Sequence, residues 1–175
     1  MIALLFIVRV LLSLALFVVL ARLLLQWTRA DFRNPICQAV VRLTNPLVIP
    51  LRRVLPPMGK VDTASVVALL LVASVEVLIL AGLHGTAFPS ALQFGEEVVL
   101  EIARMLLQTY LFANFLYAVL SLNAPGGYSP LQSVLATLCE PVLRPIRRII
   151  PGISGLDLSP LWACIAIQAL LILLR

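Results

Sequence analysis

From Ile2 to Trp27 the chain runs without a proline or a glycine and carries only two charged side chains, Arg9 and Arg22. Three further apolar stretches follow: Ser65–Leu83, Val98–Leu122 and Ser159–Leu174. A helix needs about 20 residues to cross roughly 30 Å of hydrocarbon, and three of the four stretches meet that length. The last is short, and snorkelling of Arg175 would carry it to the far headgroups. Composition agrees: 62% of residues are hydrophobic and 12% charged, where a soluble domain carries about 25% charged residues. The surplus apolar surface must face lipid, which points to an integral membrane protein. The first stretch reads as a retained helix, because no basic residue precedes Arg9 and the apolar run exceeds that of a cleaved signal.

Charge then sets an orientation. Arg29, Arg33, Arg42, Arg52, Arg53 and Lys60 lie between the first two stretches, and Arg144, Arg147 and Arg148 between the last two. The middle segment, His84 to Glu97, holds Glu96 and Glu97 but no Lys or Arg. The positive-inside rule therefore places both basic segments in the cytoplasm, with both termini and the acidic segment outside.

The chain also repeats itself. An ungapped offset of 95 residues pairs Pro35 with Pro130, Pro46 with Pro141, Pro50 with Pro145 and Pro56 with Pro151. The same offset pairs Arg52-Arg53 with Arg147-Arg148, Asp62 with Asp157 and Arg9 with Arg104. So many Pro, Arg and Asp positions in one register indicate internal duplication. The expected organisation is a first repeat over 1–84, an extracytoplasmic linker over 85–97 and a second repeat over 98–175. The expected fold is all-α: two parallel repeats, each a transmembrane helix, a cytoplasmic amphipathic helix with a Pro-rich elbow, and a second transmembrane helix. Two crossings return each repeat to its starting side, so the repeats share one orientation about an axis along the membrane normal.

At these positions the chain resembles the YggT family of small bacterial membrane proteins, called YlmG in some lineages. The resemblance rests on "RLLLQW" (Arg22–Trp27), "NPI" (Asn34–Ile36) and "TNPLVIPLRRVLPP" with Asp62 in the first repeat. In the second it rests on "SPL" (Ser129–Leu131), "EPVLRPIRRIIP" (Glu140–Pro151) and Asp157. The second repeat departs by carrying Tyr117 where the first has Arg22, and "NAPGGY" in place of "TRADFR". The resemblance implies a bacterial inner-membrane protein. It implies links to osmotic-shock tolerance and potassium uptake, to neighbourhoods of cell-division genes and, in plastids, to organisation of nucleoids or membranes. It brings no catalytic mechanism.

Elementary chemistry gives each motif a role. Asn34 and Ser129 are suited to N-caps, with Pro35 and Pro130 at the first helical position. Ile36, Ala39, Val40 and Leu43, and likewise Leu131, Val134, Leu135 and Leu138, recur at helical spacing and predict amphipathic helices lying in the membrane interface. Pro46 and Pro141 are expected to end these helices, and the next proline to leave a short broken turn. Arg52, Arg53, Arg147 and Arg148 then sit near headgroup depth, either as markers of topology or as organised contacts for anionic lipid or an acidic partner. Asp62 and Asp157 can cap the following helix, or pair with the arginines of their own repeat, or both.

Arg9, Glu76, Glu101 and Arg104 fall inside apolar stretches, where each needs a partner or water. Their depths suggest an Arg9–Glu76 pair between helices, and a local Glu101–Arg104 pair three residues apart. Together they read as a structural clamp or as a polar path for ions.

Cys37, Cys139 and Cys164 form no CxxC pair and His84 is the one histidine. No disulfide, metal or other cofactor is expected. Without a nucleophile–base set or a phosphate-binding glycine loop, the chain does not read as an enzyme. The expected function is a non-catalytic scaffold or accessory protein contacting membrane lipids through its basic elbows, as a homo-oligomer or a subunit of a larger complex, with no direct nucleic-acid contact. The alternative is a component of an ion (potassium) channel or transport system, acting as an oligomer or in a larger complex.

Overall fold

The structure, a computed structural model, describes residues 2–55, 62–84, 90–123, 129–149, 157 and 159–174. These residues form six helices and no strand: α1 Ile2–Trp27, α2 Pro35–Val54, α3 Thr63–His84, α4 Ala91–Asn123, α5 Pro130–Ile149 and α6 Ser159–Leu173. Three of them, α1, α3 and α4, are long and apolar enough to cross a membrane. The fourth apolar helix, α6, has 15 residues.

The exposed faces show which solvent these helices are built for. On α1, Leu4, Phe6, Ile7, Val10, Leu11 and Leu14 are all exposed. On α3 the buried positions are mostly small, with Ala64, Ser65, Ala68 and Ala73 fully enclosed, while Leu70, Leu71, Val75 and Leu78 point outward. Large apolar residues outside and small ones inside is the arrangement favoured in lipid, where close backbone approach rather than hydrophobic exclusion drives helix packing.

Helix ends follow local chemistry. After α1, the Arg29 amide donates to Gln26 O and the Ala30 amide to Leu25 O, with Arg29 at φ 54°. This is the Schellman arrangement, with a left-handed residue at the position that favours glycine. Buried Leu25 and Ala30 supply its apolar contact. Arg29→Gly is therefore expected to raise stability by about 0.5–1 kcal/mol in thermal unfolding of the detergent-solubilised protein. Arg29→Ala keeps the strained backbone and controls for loss of the charge. A glycine variant no more stable than that control would contradict the assignment.

Helix α4 starts earlier than its apolar stretch. The Ser90 amide donates to Gln93 Oε1, and the Gln93 amide reaches back to Ser90 Oγ at 3.5 Å. This is a capping box, written in the sequence as Ser-x-x-Gln. It draws residues 91–97, expected in a linker, into the helix.

The prolines give the clearest departure from expectation. Both α2 and α5 continue through Pro46 and Pro50, and through Pro141 and Pro145. No separate elbow follows Pro46 or Pro141. A proline inside a helix leaves the carbonyl four residues earlier without its donor. Here all four prolines lie on exposed faces, so those carbonyls can be met by water or headgroups. The opposite face of α2 carries buried Cys37, Thr44 and Val48, and that of α5 carries Cys139 and Leu143, flanked by Leu135. A helix with a buried apolar stripe can absorb the proline penalty because its packing is on the other side.

By packing, the chain forms two compact units. One comprises 1–23 and 40–105, the other 24–39 and 106–175. In the second unit, α5 packs against α6, and the Cys164 thiol on α6 lies 3.8 Å from Leu111 O on α4. The N-termini of α2 and α5 also meet there: Asn34 Oδ1 accepts the Ile36 amide, as a cap should, while Asn34 Nδ2 donates to Pro130 O at 2.8 Å. Ser129 starts α5 through its backbone carbonyl, which accepts the Ser133 amide.

Candidate functional site

The paired arginines divide into two roles. In the first unit, Arg52 reaches from the last turn of α2 to Asp62 at the start of α3. Its Nε donates to both carboxylate oxygens, at 3.3 and 3.2 Å, and its terminal nitrogen donates to Oδ2 at 2.5 Å. Ser65 Oγ donates to the same Oδ2 at 2.6 Å, and the Asp62 carbonyl accepts the amides of Ser65 and Val66. Asp62 thus starts the helix through its backbone and spends its side chain on the ion pair. Its side chain is 3% exposed and that of Arg52 is 47% exposed. Burial works to raise the Asp62 pKa, but hydrogen bonds from Arg52 and Ser65 and the charges of Arg52 and Arg22 outweigh it and hold the carboxyl below its usual range.

In the second unit the same ten-residue clasp recurs. Arg147 Nε donates to Asp157 Oδ2 at 2.9 Å, and a terminal nitrogen donates to Glu140 Oε2 at 3.1 Å. Asp157 Oδ1 accepts the Ser159 amide at 2.9 Å, so this aspartate caps and pairs at once. Burial opposes its charge, and hydrogen bonds from Ser159 and Arg147 prevail, lowering its pKa. Burial likewise disfavours the Arg147 charge, but Asp157 and the Tyr117 hydroxyl outweigh it and raise the Arg147 pKa. The Asp157 side chain is 37% exposed, so this clasp is the wetter of the two.

The second arginine of each pair is rotated by one residue, about 100° around the helix. Arg53 and Arg148 are exposed and make no ion pair among the described residues. Arg53 shares its stripe with Arg42, Pro46 and exposed Ile49, and Arg148 shares its stripe with Pro141, Arg144 and Pro145. Beside the first stripe, Leu43, Leu47 and Val54 are exposed. Each repeat therefore presents two unpaired guanidiniums on a proline-marked surface, bordered in the first repeat by exposed aliphatics. That arrangement can take phosphate oxygens while the aliphatics enter acyl chains.

The sequence marks Arg22 only by its absence from the second repeat, where Tyr117 stands in its place. Arg22 is buried, and one terminal nitrogen donates to Thr44 Oγ1 at 2.6 Å, Asn45 Oδ1 at 3.0 Å and Val41 O at 3.4 Å. Among the described residues it ties α1 to α2 through neutral acceptors. Tyr117, its counterpart at the 95-residue offset, instead acts on Arg147. The "TN" before the first Pro-Leu, against "CE" in the second repeat, is the signal that accompanies this difference.

Of the two expected intramembrane pairs, Glu101–Arg104 forms among the described residues and Arg9–Glu76 does not. Glu76 is completely buried, and its Oε1 accepts a hydrogen bond from Ser13 Oγ at 2.7 Å. Arg9 is exposed and makes no ion pair with Glu76 among the described residues. Ser13 is one turn further along α1 than Arg9, and that residue meets α3. Arg9 turns outward, as a long side chain able to snorkel does. Glu101 and Arg104 do approach one another, at 3.7 Å on neighbouring turns of α4.

The buried thiols of Cys37 and Cys139 fill the inner faces of α2 and α5. Burial, with a contribution from Asp31, raises the Cys37 pKa, and burial, with Cys164 adding, pushes Cys139 up to about 12. Neither is a ready nucleophile at neutral pH. No group of three or more His, Cys, Asp or Glu side chains able to hold a metal occurs among the described residues.

Comparison with known proteins adds a family. The model of the family described as CCB3/YggT matches residues 1–83 and 97–175. The chain is 37% identical over 157 residues to an uncharacterized protein of Pseudomonas aeruginosa, covering 89% of this chain and 80% of the relative. It is 35% identical over 144 residues to the uncharacterized protein YggT of Escherichia coli, covering 82% and 74%. To an uncharacterized Vibrio alginolyticus protein of the proC 3′ region it is 41% identical over 167 residues, covering 93% and 88%. No solved structure matches.

Proposed function

The chain belongs to the CCB3/YggT family, and from that premise we propose that it is a non-catalytic scaffold of the bacterial inner membrane that contacts anionic headgroups through α2 and α5. In this reading α6 crosses with α1, α3 and α4, giving four spans in two parallel repeats. The basic segments lie in the cytoplasm and both termini outside. Arg52 and Arg147 act inside the protein, locking each interfacial helix to the start of the following span through Asp62 and Asp157. Arg53 and Arg148, joined by Arg42 and Arg144, face the lipid. The observation that carries the reading is the recurrence, at one offset, of an exposed proline stripe bearing unpaired arginines beside a clasped one. A topological marker alone would need the charges but not this division of labour.

Native mass spectrometry of the protein released from nanodiscs containing anionic lipid tests the proposal. Polybasic attraction is worth about 1 kcal/mol per residue. Arg53→Gln with Arg148→Gln should therefore weaken retention of anionic lipid by roughly ten- to thirtyfold. Raised salt during extraction should mimic the change for these exposed charges. Arg52→Gln with Arg147→Gln should lower stability and reduce lipid retention less. Equal retention in the wild type and the Arg53/Arg148 variant would leave the arginines as markers of orientation only. Orientation is checked by a cysteine at Gly59, in a background where Cys37, Cys139 and Cys164 are serine or alanine: labelling from the cytoplasmic side supports the reading, and labelling only from outside refutes it.

A further inference from the structure

Glu76 is 0% exposed in the middle of α3. Ser13 Oγ donates to its Oε1, and its Oε2 has no hydrogen-bond partner among the described residues. A carboxylate in apolar surroundings with a single neutral donor is costly, and the usual remedies are a counter-ion or a proton. The counter-ion is absent from contact: Arg9, on α1, acts on Glu76 only at a distance and is itself exposed. From α4 the group that acts on Glu76 is Glu101, another carboxylate, itself within 3.7 Å of Arg104.

The surroundings point to where a proton would come from. One turn along the same face of α3, Leu80 lines a cleft of about 550 Å³ between α3 and the first half of α4. Glu96, Glu97, Glu101 and Arg104 line the cleft from α4. Glu101 thus belongs both to the cleft and to the groups that act on Glu76. Carboxylates run along α4 from exposed Glu96 and Glu97 to half-buried Glu101, and on the α3 side the cleft reaches Val77, the residue next to the enclosed Glu76. A hard metal cation requires six or more oxygen ligands, whereas Glu76 and Ser13 offer one carboxyl and one hydroxyl. A proton needs one oxygen, and Oε2 is that oxygen.

We propose that Glu76 is a proton-exchange site in the membrane interior, loaded on Oε2 from the α3/α4 cleft past Glu101, with Ser13 holding the carboxyl in register. The proton comes from solvent in the cleft, and its arrival converts the Glu76 carboxylate to the neutral acid. The neighbouring Glu101 carboxyl and the Ser13 hydroxyl act on Glu76 in opposite senses, and variants of each separate the two.

Infrared difference titration of the full chain in nanodiscs, with and without the hydrophobic carbodiimide dicyclohexylcarbodiimide, tests this. The wild type should show a pH-dependent protonated-carboxyl band that Glu76→Gln removes, and pH-dependent carbodiimide modification mapped to Glu76 by mass spectrometry. Glu101→Gln should move the midpoint of that titration to lower pH, and Ser13→Ala should move it to higher pH. These two variants retain Glu76 and keep the test open if Glu76→Gln does not fold. A Glu76 that stays unmodified at every pH, or a band that disappears with Glu101→Gln but survives Glu76→Gln, would overturn the proposal. So would midpoints unmoved by both Glu101→Gln and Ser13→Ala.

Discussion

Asp62→Ala is expected to lower stability by about 3 kcal/mol, and Asp157→Ala by about 1 kcal/mol, although the two aspartates are equivalent in the repeat. The reason is water. Asp62 is almost completely buried, and it gathers Arg52 and the Ser65 hydroxyl at once. Its removal leaves Ser65 and part of a guanidinium without their acceptor, and breaking a mostly buried pair falls at the low end of about 3–5 kcal/mol when one partner is half exposed. Asp157 and Arg147 are each more than a third exposed, so solvent already screens their attraction. Most of the loss there is the cap on Ser159, worth about 1 kcal/mol. Denaturant unfolding in mild detergent measures both. Equal costs would show that burial does not distinguish the clasps. The pH dependence has a fixed sign: each aspartate's pKa is lowered in the folded state. Its contribution is therefore present above the unfolded value of about 3.9 and is lost as pH falls through the lower folded value. The wild type should weaken in that acid range, and Asp62→Asn should weaken less because its clasp is already lost.

Arg22→Ala is expected to cost about 2–4 kcal/mol, combining a cavity with a stranded Asn45 Oδ1. Thr44 suffers less, because its hydroxyl also donates to Val40 O. Arg22→Leu keeps much of the volume and should fall between the wild type and alanine. Arg22→Lys restores a charge on a side chain one bond shorter, whose nitrogen stops short of the position from which a single guanidinium nitrogen meets Thr44, Asn45 and Val41, and should restore less than half of the loss. Thermal unfolding of the purified variants reads these differences. If leucine proves as stable as arginine, the buried guanidinium contributes nothing beyond its volume, which is a known outcome for buried charges. Tyr117→Arg should not recreate the tie in the second repeat, because Cys139 and Glu140 stand where the first repeat has Thr44 and Asn45.

Much of this protein could be read from its residues alone. The apolar runs determined where α1, α3, α4 and α6 lie, since only a helix satisfies its own backbone in lipid. Asn34-Pro35 and Ser129-Pro130 determined where α2 and α5 begin, because a cap and a proline are local instructions. The offset of 95 determined that Arg52 and Arg147 have matching partners ten residues on. The start of α4 is also written in Ser90-Ala-Leu-Gln93, a local capping signal that lies ahead of the apolar run. What only the tertiary structure decided depends on rotation and packing. Whether Pro46 and Pro141 end a helix depends on whether they face a packed core or the surface, and both are exposed. Which arginine of each pair meets the aspartate, and which faces outward, is a matter of about 100° of helix phase. Whether Arg9 or Ser13 meets Glu76 differs by one turn of α1, a distance that depth along the chain cannot resolve. Sequence spacing places a residue along its helix; the neighbours that helix packs against determine which of its faces becomes a site.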